Sequence, residues 1–170
     1  MLLFTLLAAA DALPAAYPDP LGPAATGQAQ CYVPDTARKT CISMAYYKAR
    51  GDGTFDNTAV VMLSKSPVVI MQTVTPATVA DGAVCGKIEA DQIAAATLTV
   101  NGQALSPADA APMLAKLSAA MKGVYGKQIC TRYVSEGGQL TAKTTMDGAP
   151  QPDDQKVIWV SPGDGYHVAP

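Results

Sequence analysis

The histidine at position 167 is the only one in the chain, and it stands near a serine and an aspartate. Ser161, Asp164 and His167 supply the residue types of a hydrolase triad, in which the imidazole is the general base and a carboxylate orients it. The local sequence Pro-Gly-Asp-Gly is typical of a turn and not of a nucleophile elbow, and this segment lies in a terminal tail. The sequence therefore predicts no catalytic residue.

Acidic residues occur in two small groups that bear on acid/base and metal chemistry. Asp153 and Asp154 are adjacent, which in extended backbone points their carboxylates to opposite sides, so they make a poor acid/base pair. Asp52, Asp56 and Asn57 offer oxygen ligands for calcium, but their spacing does not match a calcium loop, and a hairpin turn explains the same residues. We predict no metal site and no cofactor.

Four cysteines, Cys31, Cys41, Cys85 and Cys130, are spaced too widely for a C-x-x-C redox or paired zinc motif. In an exported chain they indicate two disulfides, for which three connectivities exist. Proximity along the chain favours Cys31 with Cys41 and Cys85 with Cys130.

Aromatic and basic residues alternate on one predicted strand. Tyr46, Lys48 and Arg50 share a face, and Tyr133 or Arg132 would lie near them if their strands pair. Aromatic faces with basic tips suit sugars or anionic envelope polymers, so these five residues are the candidate ligand surface. The alternative interpretation is that the rings cover the edge of the core while the charges are solvated.

The N-terminal segment predicts export. Residues 1–12 contain an apolar run followed by small residues with an A-x-A pattern, typical of a signal peptide, although a buried N-terminal strand or helix is an alternative. Residues 13–30 are rich in Pro and Ala and predict a flexible arm. The expected location is the periplasm or the extracellular space.

Strand patterns fill most of the remaining chain, and one segment has helical spacing. Ser106 and Pro107 are typical of a helix start, and apolar residues then recur at helical intervals, which predicts a helix over 106–122. Pro112 predicts a kink, or a regular helix that begins nearer to it. Asn101-Gly102 predicts a hairpin turn, and Trp159 is interpreted as a core residue.

Together these patterns predict an α+β fold: a mainly antiparallel sheet of about six to eight strands with one principal helix packed on it. We expect a single domain over 31–160 and an irregular tail over 161–170. A net charge of -2 and a pI near 5.2 give no basic excess for nucleic acid. The sequence favours a non-enzymatic binding module for a protein or an envelope polymer; the alternatives are a hydrolase that uses Asp or Glu and water, and a purely structural envelope protein.

Overall fold

The computed structural model describes residues 19–137 and 139–170. The predicted signal peptide and the first part of the predicted arm lie outside the described residues. No helix among the described residues is long and apolar enough to cross a membrane. The described strands are β1 (Ala29–Tyr32), β2 (Thr40–Cys41), β3 (Ser43–Ala49), β4 (Thr54–Lys65), β5 (Val68–Ala80), β6 (Ala83–Lys87), β7 (Thr97–Val100), β8 (Gln103–Ala104), β9 (Gln128–Glu136), β10 (Gln139–Met146), β11 (Ala149–Pro150), β12 (Gln155–Val160) and β13 (His167–Val168).

Eight of these strands close into an antiparallel barrel. Their order around it is β4-β3-β1-β12-β10-β9-β6-β5, and β5 pairs again with β4 to complete the ring. Strands account for 51% of the structure, and among the described residues a single helix exceeds seven residues. The predicted α+β class is therefore wrong: the fold is a mostly β barrel in which the principal helix lies over one end instead of covering a sheet face.

The principal helix, α2 (Pro107–Ala120), begins where its sequence predicts. The Ser106 hydroxyl accepts a hydrogen bond from the backbone N–H of Asp109 at 3.2 Å, which satisfies one of the free N–H groups of the first turn. The helix continues through Pro112, so regular helix begins at Pro107 and not nearer to Pro112. Leu114 and Leu117 form its apolar face together with the C-cap residue Met121, whereas Met113 is 37% exposed.

The segment between β6 and β9 covers the end of the barrel at which those two strands are connected. It holds α1 (Ala90–Ala94), the β7–β8 hairpin and α2, and its apolar side chains pack around Met71 of β5. The hairpin turns at Asn101-Gly102, where both residues have positive φ, as the Asn-Gly pair predicts. The Cys85–Cys130 disulfide joins directly paired residues of β6 and β9, so it fastens the base of this insertion.

The opposite end is covered by residues that the sequence assigned to a flexible arm. Gly22–Thr26 form a short 3₁₀ helix, and Leu21 is only 2% exposed. Leu21 packs with Ala77 and Val84, beside Phe55 and other partly buried residues of the barrel. The structure thus differs from the predicted arm over residues 19–30, because one buried leucine fixes a proline-rich segment that lacks regular secondary-structure signals.

The C-terminal residues pack outside the barrel. β13 pairs in parallel with β2, and Val168 is buried against the Cys31–Cys41 disulfide and Met44. The predicted irregular tail over 161–170 therefore contains a short strand and contributes to a second apolar cluster. Both disulfides favoured by the sequence are present.

Candidate functional site

A cavity of about 430 Å³ occupies the barrel interior. Side chains alternate between the inside and the outside along each strand, so the wall is built from every second residue of several strands. The apolar wall includes Ala45, Ala59, Val61, Met71, Leu117 and Ile129.

The insertion contributes the floor of this cavity. Leu117 of α2, Met121 directly after that helix and Ile93 of α1 line it, so the insertion closes the barrel with apolar groups. Ile93 is 1% exposed and anchors α1. The Thr73 hydroxyl of β5 donates to the backbone carbonyl of Gln92 at 3.1 Å, which ties α1 to the barrel wall.

Three tyrosines form the polar part of the cavity wall. Tyr32 comes from β1, Tyr47 from β3 and Tyr133 from β9, so strands from opposite sides of the barrel meet here. The hydroxyl oxygens of Tyr32 and Tyr133 lie 2.6 Å apart. Each of these oxygens is also 2.9 Å from Oε1 of Gln30, which is 0% exposed. We call Gln30, Tyr32, Tyr47 and Tyr133 the phenol cluster.

The hydroxyl protons of Tyr32 and Tyr133 are used within the phenol cluster. Tyr32 and Tyr133 each carry one hydroxyl proton, and these two protons serve three short oxygen–oxygen contacts, two of which end on Gln30 Oε1. In the arrangement observed, both protons are directed to partners within the cluster. In this arrangement the two phenols present lone pairs, and not protons, to a molecule in the cavity.

Burial keeps the cluster neutral. Removal of the hydroxyls from water raises the pKa of Tyr32, Tyr47 and Tyr133 above the ordinary value of 10.0, and the neighbouring phenols add to the effect. A phenolate here would be a buried charge beside two other acidic groups. The cluster consequently stays protonated at neutral and mildly alkaline pH.

Asn57 extends the polar region along the wall. It lies directly opposite Tyr47 in the β3–β4 pairing and opposite Thr75 in the β4–β5 pairing. Among the side chains that the structure describes, the buried polar atoms without a hydrogen-bond partner are Asn57 Oδ1 and Gln30 Nε2. Asn57 lines the cavity, whereas Gln30 is not part of its wall.

The charge of the cavity wall is low. No carboxylate occurs among its described residues, and the one charged residue, Lys87, is itself exposed. A cation inside the barrel would therefore lack a counter-charge and an anion would find only the exposed Lys87, and burying an ion without a partner is costly.

The barrel separates the five residues of the predicted ligand surface. Tyr46 is 42% exposed on the outside of β3, and Lys48 lies on the same outer face. Arg132 is on β9, four strands away in a ring of eight and hence on the other side of the barrel. Tyr133, its neighbour, points inward and joins the phenol cluster. Closure of the sheet prevents the five residues from forming one surface.

Arg50 is occupied by a local ion pair. Its guanidinium donates to the carboxylate of Asp56, with a distance of 2.7 Å from Nε to Oδ1. This carboxylate raises the pKa of Arg50. The Arg50–Asp56 ion pair thus neutralises part of the positive charge of this face. Ligand binding by Tyr46 and Lys48 stays a prediction.

The residues considered for catalysis and metal binding are dispersed. His167 is exposed and lies in β13, and the Asp154 carboxylate is 3.8 Å from Nζ of Lys143. Asp52 accepts hydrogen bonds from the N–H and hydroxyl of Thr54, the arrangement expected of a turn, and these bonds lower its pKa. Within residues 19–137 and 139–170, no three His, Cys, Asp or Glu residues are grouped as metal ligands.

The alternation of residues along β1 and β3 is a signal for the interior site, but the strand patterns alone do not show which face becomes the interior. Gln30 and Tyr32 flank Cys31, and in a strand they share the face opposite to that cysteine. Ser43, Ala45 and Tyr47 likewise alternate along β3. These faces become an interior only once the sheet is closed, so the residue pattern did not identify them as a site.

Comparison of the chain with protein-family models, with curated proteins and with solved structures finds no match.

Proposed function

We propose that this chain is an exported, non-enzymatic binding protein that holds a small, largely apolar molecule inside its barrel. The observation that carries the proposal is the interior cavity of about 430 Å³, with an apolar wall and a compact polar region. Ligand sites in proteins have this size and this mixture of apolar walls with a few placed polar groups. An eight-stranded barrel is also just wide enough to enclose one small ligand.

This proposal keeps the binding function expected from the sequence and changes the ligand. A polymer or protein partner would need a continuous outer surface, whereas the predicted residues lie on different sides of the barrel. A hydrolase that uses carboxylates would need such groups beside a cavity, and the described wall of the cavity supplies none. The two disulfides are compatible with an oxidising compartment, which supports export.

The test uses N-phenyl-1-naphthylamine, an uncharged dye whose fluorescence rises in apolar surroundings. We expect saturable binding with one site per chain. Ala59→Phe adds a ring to the cavity wall and should weaken binding at least about tenfold, because the dye and the ring compete for the same volume. The melting temperature of this variant should not fall by much, since the ring fills open space.

The matched control is Val74→Phe, which adds similar bulk on the outside of β5, where Val74 is 47% exposed. This control should bind the dye like the wild type. Absence of saturable binding, or equal weakening by both substitutions, would reject an interior site.

A further inference from the structure

We propose that the molecule held in the barrel is uncharged and presents a hydrogen-bond donor, a hydroxyl or an amide N–H, to Asn57 and the phenol cluster. This inference rests on the proposed function and specifies the ligand for the same cavity. It follows from the acceptor capacity that Asn57 Oδ1 and the hydroxyls of Tyr32 and Tyr133 have left over.

The phenol cluster offers acceptors to the cavity. Tyr32 and Tyr133 line it, and both of their protons are engaged with each other and with Gln30 Oε1. Their remaining lone pairs can accept a proton from a ligand. A ligand carbonyl or ether oxygen placed here would meet oxygen lone pairs without a proton between them.

Asn57 adds a second acceptor in the same region. Its Oδ1 is buried without a hydrogen-bond partner, and a buried unpaired acceptor is costly until a donor reaches it. Asn57 faces Tyr47 of the phenol cluster across the β3–β4 pairing, so its Oδ1 and the cluster belong to the same part of the wall. The unpaired N–H group of Gln30 does not change the inference that the ligand is the hydrogen-bond donor, since Gln30 is fully buried and is not part of the cavity wall.

The described cavity wall contains no carboxylate, so the proposal does not include a ligand with a positively charged hydrogen-bond donor. An ammonium group would donate hydrogen bonds but would be buried without a counter-charge. A carboxylate has no proton to donate to Asn57 Oδ1 and would bring a charge that only the exposed Lys87 could offset. The fitting ligand class is therefore a neutral alcohol, phenol or primary amide with an apolar body.

Isothermal titration calorimetry with naphthalene derivatives of similar size tests the inference. We expect 2-naphthol to bind about tenfold more tightly than 2-methoxynaphthalene, because the ether cannot donate. Naphthalene should bind about as well as the ether. The charged compounds 2-naphthoate and protonated 1-naphthylmethylamine should both bind more weakly than 2-naphthol.

Asn57→Leu removes the unpaired acceptor while approximately preserving side-chain volume. It should reduce the preference for 2-naphthol over the ether several-fold while naphthalene binding persists. Gln72→Leu, which changes an exposed amide on the outside of β5, is the control and should retain the preference. Circular dichroism of each variant establishes that the barrel is intact.

The outcomes separate the two proposals. If all neutral naphthalenes bind equally, if a charged compound binds best, or if Asn57→Leu keeps the full preference, the donor inference is wrong while the binding function stands. If none of the compounds binds and the dye does not bind either, the proposed function itself fails.

Discussion

The side chain of Tyr133 lies inside the barrel and not on the ligand surface that the sequence predicts for it. In the sequence it was grouped with Arg132 as part of an outer surface, but in the barrel its hydroxyl meets Tyr32 and Gln30 inside. Adjacent residues of a strand point to opposite faces, so the two could never share one. The consequence is a buried, neutral phenol with a raised pKa, which links stability to pH.

The free energy of unfolding should therefore fall as pH rises above about 10. Unfolded tyrosines lose protons near the ordinary pKa of 10.0, whereas those of the phenol cluster keep theirs, so the folded state holds more protons. The stabilising difference is complete below pH 10 and is lost towards the raised folded pKa values. Each tyrosine adds a slope of about 1.4 kcal/mol per pH unit above pH 10.

Tyr133→Phe should make this slope shallower by about one tyrosine's share between pH 10 and 11.5, as measured by urea unfolding followed through Trp159 fluorescence. Val84→Ala is the control, since it removes core volume beside Tyr133 but no titrating group. It should lower stability at every pH and leave the slope unchanged. An unchanged slope in Tyr133→Phe would contradict the buried, neutral state of this phenol.

At the scale of elements, the sequence correctly predicted those features whose geometry depends only on neighbouring residues. Ser106 caps α2, and the Asn101-Gly102 pair forms the predicted turn, because capping and turn geometry depend on neighbouring residues. The disulfide pairing also followed from chain proximity. The 3₁₀ helix Gly22–Thr26 could not be predicted, since Leu21 is fixed by contacts with Ala77 and Val84, more than fifty residues away.

Leu21 tests whether this N-terminal element contributes to folding. Leu21→Ala removes a side chain that is 2% exposed and should lower the free energy of unfolding by about 2–4 kcal/mol. Leu63→Ala, at a position that is 41% exposed, should cost less than about 1 kcal/mol. Urea titrations of both variants measure the difference. Equal, small effects would mean that residues 19–27 behave as the flexible arm that composition predicts.

The Cys85–Cys130 disulfide is the second element to test. It closes a separation of 45 residues around the helical insertion, and loop-closure entropy gives it about 4 kcal/mol of stabilisation. Cys85→Ala with Cys130→Ala should remove about that amount while the paired strands β6 and β9 keep the barrel closed and able to bind the dye. The shorter Cys31–Cys41 loop accounts for about 2.7 kcal/mol by the same relation and provides a comparison. A loss below 1 kcal/mol for the longer loop would show that the insertion is held by its packing alone.

At the scale of the whole molecule, the sequence patterns predicted the strands, but they did not predict that the sheet closes into a barrel. The sequence predicted six to eight strands, an antiparallel arrangement and one helix, yet these describe an open sheet and a closed barrel equally well. What distinguishes them is the pairing of β1 with both β3 and β12, which joins the two ends of the chain. No local pattern encodes such a contact, and the interior site exists only because of it.

Closure also gives the helical insertion its function as the floor of the cavity. Leu117 of α2 and Met121 at its C-cap line the cavity, so shortening both should open that end and speed ligand release. Leu117→Ala with Met121→Ala should raise the dissociation rate of N-phenyl-1-naphthylamine about tenfold, measured by stopped-flow dilution. Met113→Ala lies on the same helix, at a position that is 37% exposed and outside the cavity wall, and should leave the rate unchanged. Equal rates in all three proteins would mean that the dye leaves by another route, and the insertion would then be a support for the barrel instead of its closing element.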